Sequence, residues 1–227
     1  GSCLDIISGT KLKSAFFPKF PQNEIATRTL NSKTHAQKKH QPSYRYHNCN
    51  TVEDIIKNWG QASTQGTELH ANIECYLNNE QFEVKEYNKI PFKQFLNIVP
   101  WLKSLGELYQ TEWSIKDDET GTAGQVDASV LKDRKKKNMI LLDWKRSKQI
   151  STCSFERLCK KPIPYGYGPC SDIESCNFNQ YSIQLNLYKY IIEKNYGFYV
   201  SQMFIVRFHP NCKSENGELF MVPNLQN

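Results

Sequence analysis

The chain has 227 residues, of which 39% are hydrophobic and 23% charged, a balance that is typical of globular proteins and excludes a disordered or fibrous one. Its 29 Lys and Arg residues exceed its 23 Asp and Glu residues, and the formal net charge of +6 favours a polyanionic partner without requiring one. No apolar stretch approaches the roughly 20 residues that a bilayer span needs, so we expect a soluble protein with no membrane partner.

The cysteine pattern indicates the cellular environment. Eight cysteines are scattered along the chain without a CxxC pair, unlike the dense framework of a small secreted fold. We therefore expect mostly reduced thiols in an intracellular protein, with the compartment (mitochondrial, nuclear or cytoplasmic) left open. Gly1 and Ser2 are typical of a cloning remnant, so the lack of a targeting sequence indicates little.

Four of these cysteines fall in one Pro/Gly/Tyr-rich segment: Cys153, Cys159, Cys170 and Cys176. Ligand pairs of structural zinc sites are usually separated by about two to four residues, and these cysteines are farther apart. Ordinary packing is favoured over a zinc site, and the zinc alternative stays open.

The chain is predicted to divide near residue 50. Residues 1 to about 50 are basic, polar and weakly periodic, and they predict a partly ordered N-terminal arm that is either simply solvated or in contact with phosphates. Residues 51–227 are predicted to form one domain with an inserted Cys/Pro/Gly-rich loop at about 149–177.

Helical signals open the predicted domain. The segment TVEDIIKNWG has two acidic residues in its first turn and predicts a short helix that ends at Gly60. The segment TQGTELHANIECYLNNE predicts a second helix, on which His70 and Glu74 are neighbours because they are four residues apart. The segment PFKQFLNIVPWLKSLG predicts a third helix, which we expect Pro100 to bend or break.

Strand signals follow Gly106. The short runs ELYQTEWSIK, GQVDASVL and NMILLDWK predict three consecutive strands of an antiparallel meander, with KDRKKKN as a hairpin loop. After the insertion, FNQYSIQLNLYKYIIEKNYG predicts a helix that ends at Gly197 and buries the face of Ile183, Leu187, Tyr190 and Ile191.

The last strong signal, FYVSQMFIVRFHP, predicts a buried strand parallel to a neighbour, because a crossover helix precedes it. The fold class is therefore α/β, with the order α-β-β-β-α-β and a mixed central sheet flanked by helices.

Acidic residues interrupt the predicted apolar strands: Glu112 in the first, Asp127 in the second and Asp143 in the third. Alternate residues of a strand share a face, so Asp143 and Lys145 lie on one side of the sheet and Trp144 on the other. Two carboxylates at one place repel each other unless a cation lies between them, and Mg²⁺ or Mn²⁺ prefers such oxygen ligands. From these residues alone, a plain ion pair between Asp143 and Lys145 remains an alternative.

Four short motifs occur in order along the chain: GTELHANIE with His70, GQVD with Asp127, DWK with Asp143 and Lys145, and YSIQLNLY with Gln184 and Tyr188. In this combination the sequence resembles the RecB-like branch of the PD-(D/E)XK nuclease superfamily, over most of residues 60–210. Within that branch it is similar to the mitochondrial genome maintenance exonucleases. The resemblance implies a restriction-endonuclease-like core.

The resemblance also implies roles for individual residues. Asp127 and Asp143 correspond to catalytic, metal-binding carboxylates, and Lys145 corresponds to the catalytic lysine. His70 and the main-chain carbonyl of Trp144 correspond to further metal ligands.

Four more residues complete the implied site. Gln184 and Tyr188 are one helical turn apart and correspond to substrate-binding residues, with a polar edge of a core helix as the alternative. Glu74 and Glu112 are second-tier candidates, each either a metal ligand or a salt-bridge partner.

The function that the resemblance implies is Mg²⁺- or Mn²⁺-dependent hydrolysis of DNA phosphodiester bonds, by an exonuclease that acts on single strands or free ends. The alternatives are an endonuclease of the same superfamily, a nucleic-acid-binding module of this fold without catalysis and, more remotely, an enzyme acting on another phosphate ester. No iron–sulfur cluster is expected, because only Cys212 follows the helix of Gln184 and Tyr188.

Overall fold

A computed structural model describes residues 7–225 of the chain. Gly1, Ser2 and Cys3 lie outside the described residues, and the other seven cysteines are free thiols. Within residues 7–225, none of the helices combines the length and the apolar character needed to cross a membrane.

Seven α-helices are present in the described part of the chain: α1 (Gly9–Ala15), α2 (Gln22–Leu30), α3 (Lys33–Lys38), α4 (Val52–Leu77), α5 (Lys89–Leu105), α6 (Phe155–Leu158) and α7 (Asn177–Asn195). Six strands accompany them: β1 (Ile7–Ser8), β2 (Glu107–Asp117), β3 (Thr122–Asp133), β4 (Asn138–Lys145), β5 (Tyr199–Arg207) and β6 (Glu218–Met221). The weakly periodic first 50 residues did not predict β1 or α1 to α3, and β6 was also not predicted.

The described chain divides into two compact units. One unit comprises residues 7–18 and 69–225, and it contains every predicted site residue. The other comprises residues 19–68, where Ala26, Cys49 and Ile55 form a small buried core.

The six strands form one mixed sheet. Strands β2, β3 and β4 are an antiparallel meander, β5 is parallel to β4, and β6 is antiparallel to β5. Strand β1 lies parallel to the start of β3. The predicted meander, the predicted parallel strand and the α/β class with helices flanking a mixed sheet are thus confirmed.

Strand β4 supplies the cores on both faces of this sheet. Ile140 and Leu142 belong to the core that α4 and α5 cover, whereas Met139 and Leu141 belong to the core under α7. All four side chains are fully buried. Because a strand alternates its side chains between faces, a continuous apolar run of this kind is expected where both faces are covered.

One predicted helix boundary is wrong, and Pro100 does not break its helix. Helix α4 continues through Gly60, which is exposed, and α5 continues through Pro100. A glycine inside a helix costs only about 1 kcal/mol relative to alanine, which the packing of the whole helix outweighs. Pro100 removes one backbone hydrogen bond on an exposed side of α5, where water can satisfy the released carbonyl of Leu96.

The predicted buried face of α7 is also wrong in part. Tyr190 is 44% exposed, whereas the fully buried apolar positions are Leu185, Tyr188, Ile191 and Ile192. The face of α7 that packs on the sheet is therefore the one that carries Tyr188.

Leu142→Ala is expected to lower the free energy of unfolding by about 2 to 5 kcal/mol, because it leaves a cavity in the core under α4 and α5. Leu158→Ala, a matched change at a side chain that is 64% exposed, should change it by less than about 0.5 kcal/mol. Urea unfolding measures both. Equal losses in the two variants would contradict this assignment of the core.

Candidate metal centre

Strand β3 has an edge without a strand partner at the motif GQVD. Strand β2 pairs with β3 from Thr122 to Leu131 along one edge. Because a strand has only two edges, β1, which pairs at Thr122 and Ala123, and β4, which pairs from Ala128 onward, must share the other. Among the described residues, positions 124–127 on that edge therefore face a gap between β1 and β4.

Strand β4 separates from β3 at the same place. The last pair between the two strands is Ala128 with Leu142, and β4 then continues beside β5 as far as Lys145. Across the gap, the Trp144 N–H donates to Asp127 Oδ2 at 2.6 Å. The Trp144 N–H lies beyond the end of the β3–β4 ladder and donates to the Asp127 side chain instead. This hydrogen bond fixes the position of one oxygen of Asp127.

Three potential ligands meet at this separation of the strands. Oxygen or nitrogen atoms of His70, Glu112 and Asp127 all lie within 4.8 Å of one another. His70 Nδ1 is 3.6 Å from Asp127 Oδ2 and 3.9 Å from Glu112 Oε1. Within residues 7–225 this is the one group of three or more His, Cys, Asp or Glu side chains with such spacing, and the cysteines of the insertion do not form another.

Glu112, a second-tier candidate in the sequence, belongs to this group. It faces Asp127 across the β2–β3 ladder and has a φ of +45°, a conformation that non-glycine residues rarely adopt within a strand. Burial, followed by the charges of Asp127 and Glu74, raises the pKa of Glu112 to about 7. Backbone strain and a strongly raised carboxyl pKa are both frequent at functional sites.

Asp143 and Lys145 lie side by side on the α7 face of the sheet, as the strand period predicts. The ammonium nitrogen of Lys145 is 2.5 Å from Asp143 Oδ2, so the two side chains form a close and largely buried ion pair. Burial alone would lower the pKa of Lys145, but Asp143 and Asp127 outweigh burial and raise it, so the side chain stays protonated.

Trp144 points away from this site. Its indole is buried between Phe95 and Phe208 in the core under α4 and α5. Trp144 contributes to the site through its main chain, because its N–H donates to Asp127.

The residues present fit a hard divalent cation. Glu112, Asp127 and Asp143 provide carboxylates, and burial followed by the charge of Asp143 raises the pKa of Asp127 despite nearby His70. Lys145 supplies one positive charge against these three acids. Oxygen ligands with an added imidazole suit Mg²⁺, Mn²⁺ or a related ion.

The two residues of the predicted Q-x-x-x-Y element are linked to each other and to GQVD. Gln184 Nε2 donates to the hydroxyl of Tyr188 at 2.8 Å. A Cβ atom at Gly124 would lie 2.2 Å from the Tyr188 ring, and one at Gly9 would lie 2.8 Å from it. Tyr188 is buried, at 3% exposure, and its ring packs against Gly9 and Gly124, where a larger residue would clash with it. Its hydroxyl accepts from Gln184 and so positions that side chain.

Sequence reasoning missed two residues beside the site. Tyr181 places its ring centroid 5.0 Å from the ammonium nitrogen of Lys145, and its position three residues before Gln184 could have identified it. Lys13 on α1 lies 5.3 Å from the same ring centroid, and no local pattern marks it.

No protein-family model matches the chain, and no curated protein shows significant similarity to it.

Glu112→Gln is expected to raise the melting temperature in EDTA, because it removes one of the mutually repelling charges. Excess Mn²⁺ should stabilise the wild type by about 2 to 3 kcal/mol at a concentration about 100-fold above its dissociation constant, and the variant by much less. Glu86→Gln, at a side chain that is 85% exposed, should keep the full gain. Thermal unfolding with and without Mn²⁺ measures this, and a wild type indifferent to Mn²⁺ would contradict the metal centre.

Gly124→Ala is expected to cost about 1 to 3 kcal/mol of stability, because the added methyl group overlaps the Tyr188 ring. Gly60→Ala, where a Cβ meets nothing within 4 Å, should instead add about 0.5 to 1 kcal/mol. In a Tyr188→Ala background the cost at Gly124 should disappear. Denaturant unfolding of Gly124→Ala, Gly60→Ala, Tyr188→Ala and the Gly124→Ala/Tyr188→Ala double variant measures these changes. A loss of stability from Gly124→Ala that persists in the Tyr188→Ala background would refute the contact.

Proposed function

We propose that the unit of residues 7–18 and 69–225 is a Mg²⁺- or Mn²⁺-dependent deoxyribonuclease with a PD-(D/E)XK core of the RecB-like branch, which acts on single strands or free ends. The observation that carries the proposal is the position of Asp127 and Asp143 where β3 and β4 separate, with Lys145 beside them. The acids alone would indicate a metal site of any kind. The buried ammonium group next to them supports chemistry on an anionic substrate.

The finer fold assignment is supported by the order of the motifs on the elements. His70 is on α4, GQVD is on β3, DWK is on β4 and the Q-x-x-x-Y element is on α7. The elements α5, β2, β3, β4, α7 and β5 follow the proposed α-β-β-β-α-β order.

The proposed ligands are His70, Glu112, Asp127 and Asp143, with the carbonyl of Trp144 as a further one. A divalent cation held there would polarise a phosphate oxygen and increase the acidity of a water molecule. The protein prepares that position by fixing Asp127 through the Trp144 N–H and by holding Asp143 beside Lys145.

Lys145 acts as a cation in this proposal. Because Asp143 and Asp127 raise its pKa, it keeps its proton at neutral pH and is unsuited to be a general base. Its ammonium group instead stabilises the negative charge that develops on the phosphate oxygens as the phosphodiester bond breaks. Asp143 holds it in place before the substrate arrives.

With Mn²⁺, we expect wild-type protein to degrade linear single-stranded DNA, and Lys145→Ala to lower kcat/KM by about 100- to 1000-fold, because it removes a preorganised positive charge. Lys103→Ala, an exposed lysine near the end of α5, should stay within about twofold of the wild type. Gel assays on labelled linear, blunt-ended duplex and circular DNA provide the measurement.

The same assay separates the alternatives. Cleavage of circular single strands would identify an endonuclease. Binding without cleavage of any substrate would identify a non-catalytic module, and equal activity in wild type and Lys145→Ala would refute the proposed site.

A further inference from the structure

Lys13 is a buried cation on a short helix beside the proposed site. Lys13 is only 8% exposed, and it lies on α1, which directly follows β1. Strand β1 pairs with β3 at Thr122 and Ala123, immediately before GQVD, and Gly9 of α1 lies against Tyr188. These contacts bring Lys13 to the edge of the gap between the strands.

The surroundings of Lys13 place it next to the catalytic lysine of the proposed mechanism. The ammonium nitrogens of Lys13 and Lys145 are 5.3 and 5.0 Å from the centroid of the Tyr181 ring. They cannot be farther apart than the sum of these two distances. One DNA strand carries a phosphate about every 3.4 Å along the duplex axis, so both lysines are within reach of a few consecutive nucleotides.

Lys13 differs from Lys145 in its partners. Lys145 is paired with Asp143, whereas no carboxylate among the described residues lies within ion-pair distance of Lys13. Its ammonium group has three N–H donors, and Gln184 Oε1, at 3.2 Å, is the one side-chain oxygen within residues 7–225 that accepts from it. A buried ammonium without an acidic partner is costly unless it has another role.

We propose that Lys13, Gln184 and Tyr181 form a subsite that binds a phosphate of the DNA strand next to the scissile one. Lys13 donates to the anionic phosphate oxygens, Gln184 orients the ammonium group, and the Tyr181 ring packs against it and against Lys145. This inference rests on the proposed nuclease function, which it extends to the placement of the strand. The phosphate is either internal or at a strand terminus, since both present anionic non-bridging oxygens.

Binding is best measured without turnover, in full-length Asp127→Asn protein with a fluorescent oligothymidylate at several KCl concentrations. In that background Lys13→Met should weaken binding by roughly 10- to 100-fold at about 0.1 M KCl, as expected for loss of a charged hydrogen-bond donor. The slope of log K against log[KCl] should fall by about 0.7, the value for one phosphate contact on a single strand. Lys13→Arg should keep the slope, and Lys103→Met should change neither quantity.

Two further arms complete the test. Lys13→Gln repeats the charge loss in case Lys13→Met does not fold, with folding checked by circular dichroism. Oligonucleotides with a 5′ phosphate, a 3′ phosphate or neither then locate the contact: an equal Lys13 effect on all three indicates an internal phosphate, and an effect confined to one phosphorylated end indicates a terminal one.

The outcomes distinguish the two proposals. If wild-type protein cleaves DNA while Lys13→Met and Lys13→Gln bind with unchanged affinity and salt slope, the subsite is refuted and the nuclease stands. An affinity loss without a change in slope also refutes the subsite, because it indicates a merely structural lysine. If wild type neither cleaves nor binds DNA, both proposals fail.

Discussion

Repulsion among carboxylates in a confined cleft is the constraint on which this site depends. Glu112, Asp127 and Asp143 lie where water is scarce enough to raise the pKa of Glu112 to about 7, so the arrangement opposes their simultaneous ionisation. Lys145 relieves part of the repulsion through its ion pair with Asp143. A divalent cation would neutralise more of it, and the fold accepts some instability without it. That exchange of stability for a prepared charge distribution is common at catalytic centres.

The sheet creates this cleft through an interrupted ladder. Strand β3 is continuous with β2 on one edge, which makes it rigid, while its other edge is shared by β1 and β4 with a gap between them. Asp127 spans the gap to the Trp144 N–H, and Tyr188 fills the space above Gly124. Gly124 of GQVD and Tyr188 of Q-x-x-x-Y therefore contact each other. This contact explains why the two motifs predict the site better together than either does alone.

Periodicity explains which features the sequence could predict. The strand period of two places Asp143 and Lys145 on one face, and the antiparallel hairpin brings Asp127 next to its last pair, Ala128 with Leu142. Local signals fail where distant packing decides: Gly60 lies inside α4 because a cost of about 1 kcal/mol is small beside the burial of the helix. Lys13 had no signal at all, since its hydrogen-bond partner Gln184 is 171 positions away.

The two lysines around Tyr181 suggest how a polyanion can approach an acidic centre. Lys145 is held by Asp143 and is therefore in position before any substrate binds, so its charge acts on the bond that breaks. Among the described residues no carboxylate lies within ion-pair distance of Lys13 and Gln184 is its one side-chain acceptor, so its charge is available to the incoming strand. Burial and the charge of Lys145 lower the pKa of Lys13, whereas the charge of Asp143 raises it. A phosphate beside Lys13 would favour its charged form, just as a cation among the carboxylates would favour theirs.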